Sequence, residues 1–465
     1  MQSIIQYIER KRSITKKVKT RGSIKQRKKK KEMVKANMRE SFRNIRFTLA
    51  FFSVSFAPRI IHRMSELLHI IFIIMMGSSS ATNNKENIDK YLSVSNNNFT
   101  KDLYKELTST NVGNIVNSPL IIHMILSHLS HGAESTTLDE LTKSLYHYNK
   151  ILIQEGYKSL IIKLNELSMV KLYIANAMYI QDGFEILTEF LTVGKDVYQS
   201  EISKIDFKNN VEASEKINAW VNEKTNNKIP YLVSSDNFNE NTKLVLINAI
   251  YFNGTWLNTF NIRDTKDRIF HVLKNQTKLV PTMYSKSKYI HGDMPMLQAK
   301  FIEIPYKNPD VAMIIILPNQ IDGLLNLQTN FSFEMLANTT RSYNDIELYL
   351  PKFKIEFTVD LKNALNKLGL NTMFKPNANF NRISNTPLMV DKVLHKAIID
   401  INEEGTEAAA TTAVFLRLRR CTYPEEMEFI VDRPFMFIIE YKPNNIPLFI
   451  GNVQDIEVTS QRDEL

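Results

Sequence analysis

Two long runs set the pattern of the chain. "KLYIANAMYI" (171–180) and "TKLVLINAIYFNGTW" (242–256) are almost continuously apolar and rich in Ile, Val and Tyr. Such runs predict central strands covered on both faces, where strict alternation would predict one wet face. "VAMIIILP", "DIELYLPKFKIEF", "KVLHKAIIDINEE", "EFIV", "FMFIIEY" and "PLFIGNVQ" predict further strands. Helical spacing comes earlier. "NNFTKDLYKELTST" predicts one helix, and "SPLIIHMILSHLSHG" predicts a second that starts at Ser118-Pro119 and puts Leu120, Met124, Ile125 and Leu129 on one apolar face. "ASEKINAWVNEKTNNKI" predicts a helix with a polar stop, and "TVDLKNALNKLGL" a short one ended by Gly369. Early helices followed by many long strands predict one α+β domain over residues 84–457.

Charge changes the picture at one end only. The 465 residues carry a formal net charge of +10, but residues 1–63 hold 19 Lys/Arg against 3 Glu, so the remainder is mildly acidic. Residues 1–63 therefore read as a basic extension, disordered or missing from the mature protein. Nothing after it has the form of a nucleic-acid module, so no nucleic-acid partner is expected. Residues 64–80 contain an apolar run, "LLHIIFIIMM", and then small residues before Ala81. That is the form of a signal peptide, too short for a membrane span, and the mature form is expected off the membrane. Residues 458–465 end in Arg462-Asp463-Glu464-Leu465, an ER-retrieval tetrapeptide with Arg for Lys, which implies a retrieval receptor as partner. Five N-x-[ST] sequons, at Asn98, Asn253, Asn275, Asn330 and Asn338, suit that compartment. The lone Cys421 excludes an intramolecular disulfide. Together these features place the protein in the endoplasmic reticulum and secretory pathway, in part secreted.

Catalytic signatures are missing from the sequence. His271, His291 and His395 have no carboxylate or nucleophile at motif spacing, and there is no G-x-S-x-G, H-E-x-x-H or phosphate loop. The expectation is a protein that is not an enzyme and needs no metal or other cofactor.

The most unusual segment is "EEGTEAAATTAVFLRLRRC" (403–421). A strand that joins the middle of a sheet must fit on both faces, and a large or charged side chain there clashes or strands a charge. Thr406, Ala408, Ala410 and Thr412 form a small, uncharged set. They alternate with Glu407, Ala409, Thr411 and Ala413, whose one charge stands near the start. Gly405 supplies backbone freedom ahead of them. The arginines follow. If the chain is cut after Arg420, with Cys421 next, arginines stand at the first, second and fourth positions before the bond: Arg420, Arg419 and Arg417. In an extended loop these reach separate acidic subsites, each able to pair bidentately with a guanidinium.

"NIVNSPLIIHMILSHLSHGA", "IANAMYIQDGF", "LVLINAIYFNGTW", "LPKFKIE", "VLHKAIIDINEEGTEAAATTA" and "DRPFMFIIEYKPNNIPLFIGNV" resemble, in order, the signature segments of the serpin family, over roughly residues 98–453. The resemblance implies a fold of three β-sheets with about eight or nine helices, and an exposed reactive-centre loop (403–424) that inserts into the main sheet. It implies a hinge at Glu403, Glu404, Gly405, Thr406, Glu407, Ala408, Ala409, Ala410 and Thr411. It further implies a polar group of Ser118, Asn248 and His395 under the part of the sheet that opens, with Trp256 where the loop first enters. The implied function is suicide inhibition of a serine protease by a monomeric chain, through a covalent complex. Family spacing from Gly405 puts the reactive bond at Arg419-Arg420, which suits a trypsin-like target. The R-x-R-R pattern puts it at Arg420-Cys421, the preference of furin-like proprotein convertases, and insect serpins of similar design pair such a bait with an ER-retrieval tail. The alternatives are a secreted inhibitor of trypsin-like proteases and a non-inhibitory ER chaperone of the same family.

Overall fold

The computed structural model describes residues 81–406 and 427–457, with side chains from residue 87. Backbone contacts divide the chain into Met1–Asn84 and Lys85–Leu465, and the fold below is that of the second unit. The basic extension (1–63), the segment expected to be a signal peptide (64–80), residues 407–426 and the C-terminal tail (458–465) lie outside the described residues.

The first half is mostly helical: α1 (Ala81–Thr110), α2 (Pro119–Gly132), α3 (Ser135–Ser144), α4 (Lys150–Asn165), α5 (Thr188–Val193) and α6 (Asn210–Lys224). Between them run β1 (Ile115–Asn117), β2 (Val170–Gln181) and β3 (Glu201–Ile205). Strands then dominate: β4 (Leu244–Gly254), β5 (Lys266–Leu273), β6 (Gln276–Met294), β7 (Ala299–Pro305), β8 (Val311–Pro318), β9 (Ser342–Pro351) and β10 (Phe353–Asp360). Short helices α7 (Leu324–Asn330), α8 (Phe333–Asn338) and α9 (Lys362–Lys367) interrupt this run. The chain ends with β11 (Lys392–Ile401), β12 (Met427–Ile430), β13 (Phe435–Tyr441) and β14 (Ile446–Val453).

The main sheet has the order β10-β11-β4-β2-β3. The two runs that looked buried on both faces are its β2 and β4. One face of β4 (Val245, Ile247, Ala249, Tyr251) packs with Ile217 and Val221 of α6 and with Ile229, Leu232 and Val233 of the segment after it. On the other face, Ile250 and Phe252 join a second cluster with Leu120, Ile121 and Met124 of α2. The remaining strands hydrogen-bond in the order β1-β14-β13-β8-β7-β6-β9-β12, with β5 against β6. The expected second and third sheets are continuous here because the 19-residue β6 serves both. It meets β5 and β9 along most of its length and β7 at its end.

Two readings need adjustment. The α2 helix is not one-faced, since all but one of its residues are buried. Leu120 and Met124 point into one core cluster while Ile125 and Leu129 point into another, so the helix is a pillar between two cores. "DIELYLPKFKIEF" is two strands in different sheets. The break falls at Lys352, whose N–H bonds the Pro281 carbonyl, and β9 and β10 part there.

Candidate functional site

The site lies where β11 ends. β11 and β4 run parallel, paired from Lys392↔Val245 to Ile398↔Tyr251. Past that seam the chain turns: Asn402 and Gly405 exchange backbone hydrogen bonds, N–H of each to the carbonyl of the other, at 2.9 and 3.2 Å. It then returns antiparallel along the end of β4, with Gly405 bridged to Thr255 and the Thr406 N–H 2.8 Å from the Gly254 carbonyl. Gly405 has φ +145°, and a Cβ there would stand 1.9 Å from the Gly254 oxygen. Only glycine allows so close an approach.

The turn is held on every side. Trp256 is buried and stacks on Tyr306 at 4.3 Å. Its backbone N–H donates to the Glu404 carbonyl at 2.9 Å and its ring N–H to the Asn402 carbonyl at 3.0 Å. The Glu403 carboxylate accepts from Thr265 Oγ1 at 2.8 Å and pairs with Lys352 Nζ at 2.9 Å. Burial opposes its ionisation, yet these partners hold the carboxyl below its ordinary range. Thr406 is fully buried; its hydroxyl meets Tyr306 Oη at 3.2 Å and its carbonyl accepts from Tyr251 Oη at 3.4 Å. Residues 407–411 of the expected hinge and residues 417–421 of the expected bait lie outside the described residues.

Below the turn a polar row crosses the main sheet. His395, Asn248 and Asn176 are paired neighbours on β11, β4 and β2. Asn248 Nδ2 donates to Asn176 Oδ1 at 2.6 Å, and His395 Nε2 accepts the backbone N–H of Ser118, the residue before α2, at 3.2 Å. Burial pushes the His395 pKa down to about 3, so the ring is neutral. Ser118 Oγ, Asn248 Oδ1, His395 Nδ1 and Asn176 Nδ2 are buried with no protein partner. The structure thus brings together Ser118, Asn248 and His395 in one group and Trp256 with Glu403, Glu404, Gly405 and Thr406 in another. Asn176 was missed, although an Asn inside "IANAMYI" was its signal. Thr265, Lys352 and Tyr306 had no local signal, because only the fold brings them to the turn.

The sequons separate by exposure. Asn275, Asn330 and Asn338 are exposed. Asn98 is half-buried inside α1 with Phe99 and Thr100 fully buried, and Asn253 is half-buried on β4. Among the described residues no group of three or more His, Cys, Asp or Glu is placed to hold a metal ion, and no helix is long and apolar enough to cross a membrane.

The family model described as "Serpin (serine protease inhibitor)" matches residues 94–456. A leukocyte elastase inhibitor of Bos taurus is 37% identical over 374 residues, 78% of this chain and 98% of the relative. Alaserpin of Manduca sexta is 37% identical over 396 residues, 83% of this chain and 99% of the relative. The solved structure of Serpin48, a highly specific serpin of the insect Tenebrio molitor, superposes with a TM-score of 0.72 at 32% identity, covering 79% of this chain and 98% of that one.

Proposed function

We propose that this chain, which belongs to the serpin family of serine protease inhibitors, traps a furin-like proprotein convertase as an acyl-enzyme within the secretory pathway. The observation that carries the inhibitory half of this reading is the turn at Asn402–Thr406, which aims the chain back along β4 at the β11–β4 seam. Continuing the register of Gly405 opposite Thr255 sets Ala408 opposite Phe252, Ala410 opposite Ile250 and Thr412 opposite Asn248. The small, uncharged set then faces the core shared with α2. Glu407 falls opposite Asn253, at the half-buried end of the sheet. Thr412 arrives at the row of Asn248 and His395, where its hydroxyl can donate to Asn248 Oδ1 and accept from the Nδ1–H that His395 keeps while its Nε2 accepts from Ser118.

Insertion exchanges one parallel ladder for two antiparallel ones. That adds on the order of ten backbone hydrogen bonds, each worth roughly 0.5–1.5 kcal/mol net. The form with β11 on β4 is then kinetically trapped rather than most stable. A protease attacks the loop, its nucleophile becomes acylated by the bait arginine, and the cut frees the loop to insert. The acylated protease is carried along and distorted before water releases it. No group of this chain acts as a catalyst in that sequence. The convertase assignment rests on Arg417, Arg419 and Arg420 together with the ER-retrieval tail.

The test is incubation with furin and, separately, trypsin. An SDS-stable complex near the summed masses is expected with furin; clean cleavage without complex, or no reaction, overturns the reading. N-terminal sequencing of the released peptide discriminates the bond: Cys421 first means cleavage after Arg420, and Arg420 first means cleavage after Arg419, the trypsin-like reading.

A further inference from the structure

We propose that Asn275 carries an N-linked oligosaccharide that covers an apolar, one-sided β-hairpin. The proposal rests on the secretory route proposed above, and it concerns a face of the molecule remote in sequence from the bait.

β5 and β6 form this hairpin, with Lys274-Asn275 as its two-residue turn. Among the described strands β5 pairs with β6 alone, with one further backbone hydrogen bond from the His271 N–H to the Asp432 carbonyl at 2.7 Å, so it is an edge strand, and edges with apolar side chains invite pairing with other chains. Ile269 and Leu279 stand directly opposite each other and are 57% and 59% exposed; Leu273, at the tip, is 61% exposed. The other face of the pair is ordinary core, with Phe270 fully buried. Three large aliphatic side chains on one short ribbon form an apolar patch of the kind that marks a covered surface or an aggregation hazard.

The sequon sits at the tip of that patch. Asn275 and Thr277 are both exposed, and Thr277 pairs with His271, two residues from Ile269 and so on the same face as Ile269 and Leu279. Both turn residues are exposed, Lys274 paired with Asp322 at 2.7 Å and Asn275 beside it. By contrast, a glycan on Asn98 would have to share helix α1 with fully buried Phe99 and Thr100. In the transfer, the amide nitrogen of Asn275 displaces a lipid-linked pyrophosphate at C1 of the sugar and gives up one proton, with no redox change. The hydrated oligosaccharide then lies over the aliphatic ribbon at the tip of β5 and β6.

The full chain, expressed in a eukaryotic host and purified from cells and medium together, is digested with peptide N-glycosidase in heavy-oxygen water and analysed by mass spectrometry. Labelled Asp is expected at position 275 and absent at 98. Asn275→Gln and Thr277→Ala should each remove one glycan mass and raise self-association, read by light scattering at matched concentration, while furin complex formation is retained. A bare Asn275 beside a modified Asn338 overturns this proposal and leaves the inhibitory reading standing. Glycan at no sequon overturns it together with the secretory route. Unchanged self-association in both variants overturns the covering role.

Discussion

Acid should weaken this fold through its histidines. His123, His128 and His147 are buried around α2, and His395 is buried under the main-sheet seam. His123 bonds Tyr157 Oη and lies 3.1 Å from both Ser95 Oγ and the Leu145 carbonyl. His147 meets Ser127 Oγ at 3.1 Å, and its ring crosses that of His123 at 5.0 Å. His128 stacks on Phe190 at 4.5 Å, pressed against Gly194, where a Cβ would meet the ring at 2.5 Å. No carboxylate hydrogen-bonds any of these rings among the described residues. Burial lowers the pKa of His123 and His128 to about 4 and of His395 to about 3, and it lowers that of His147 well below 6.5. For His147, the neighbouring His123, His131 and Lys150 add to that effect. The unfolded chain takes up these protons near pH 6.5 and the folded one does not. Stability is therefore full above that pH, falls as pH drops through it, and goes on falling until the folded values near 4 to 3 are reached. From pH 7.5 to 5.5 each ring costs roughly 1.3 kcal/mol, so four cost roughly 5 kcal/mol, a large part of an ordinary domain's stability. Urea unfolding followed by tryptophan fluorescence at pH 7.5, 6.5 and 5.5 reads this directly. His147→Gln, which can still bond Ser127, should reduce the pH dependence by about one ring's share. A midpoint that does not move between pH 7.5 and 5.5 refutes the reasoning, as does a His147→Gln slope equal to the parent's.

The remaining predictions concern the turn and the polar row. Gly405→Ala should destabilise by more than about 1 kcal/mol, because the Gly254 carbonyl occupies the space of the new methyl; an unchanged thermal midpoint would show that the close approach is not required. Lys352→Met should cost ~1 kcal/mol after solvent screening and should reduce the stability lost on acidification below pH 4.5, since Glu403 would lose the partner that favours its ionised form. Asn248→Leu should cost about 1–3 kcal/mol by leaving Asn176 Oδ1 without its donor, and adding Asn176→Leu should restore part of it. Equal losses in the single and double variants would count against that pairing. Arg417→Ala should harm furin inhibition far more than trypsin inhibition, measured as the stoichiometry of complex formation; equal losses favour the trypsin-like target.

Legibility in the sequence followed burial. β2, β4, β8, β13 and β14 are buried along most of their length and read as apolar runs. β5 and β6 did not, because long stretches of both are exposed and carry Lys, Asp, Thr and Gln. The helices α3, α4, α5, α7 and α8 went unmarked for a related reason: most are short, and their stability comes from the neighbours they pack on rather than from their own pattern. At the site, Gly405 was visible because its constraint is local. The Glu403–Lys352 pair and the Trp256–Tyr306 stack were not, since each joins residues about 50 apart in sequence. The histidine cluster gave no motif spacing either. Its members come from α2 and the segment before α4, and their common property is burial, which spacing does not report.

The seam between β11 and β4 has a consequence for dose. On the proposed mechanism it takes up one segment of the same chain, and a strand once inserted has no route back out. Each molecule then answers one proteolytic event and is spent, so the protein would act by titration instead of by a graded binding equilibrium. Target activity would stay near zero while inhibitor is in excess and rise abruptly once the supply is matched, giving the compartment a threshold whose height is set by how many copies have been made.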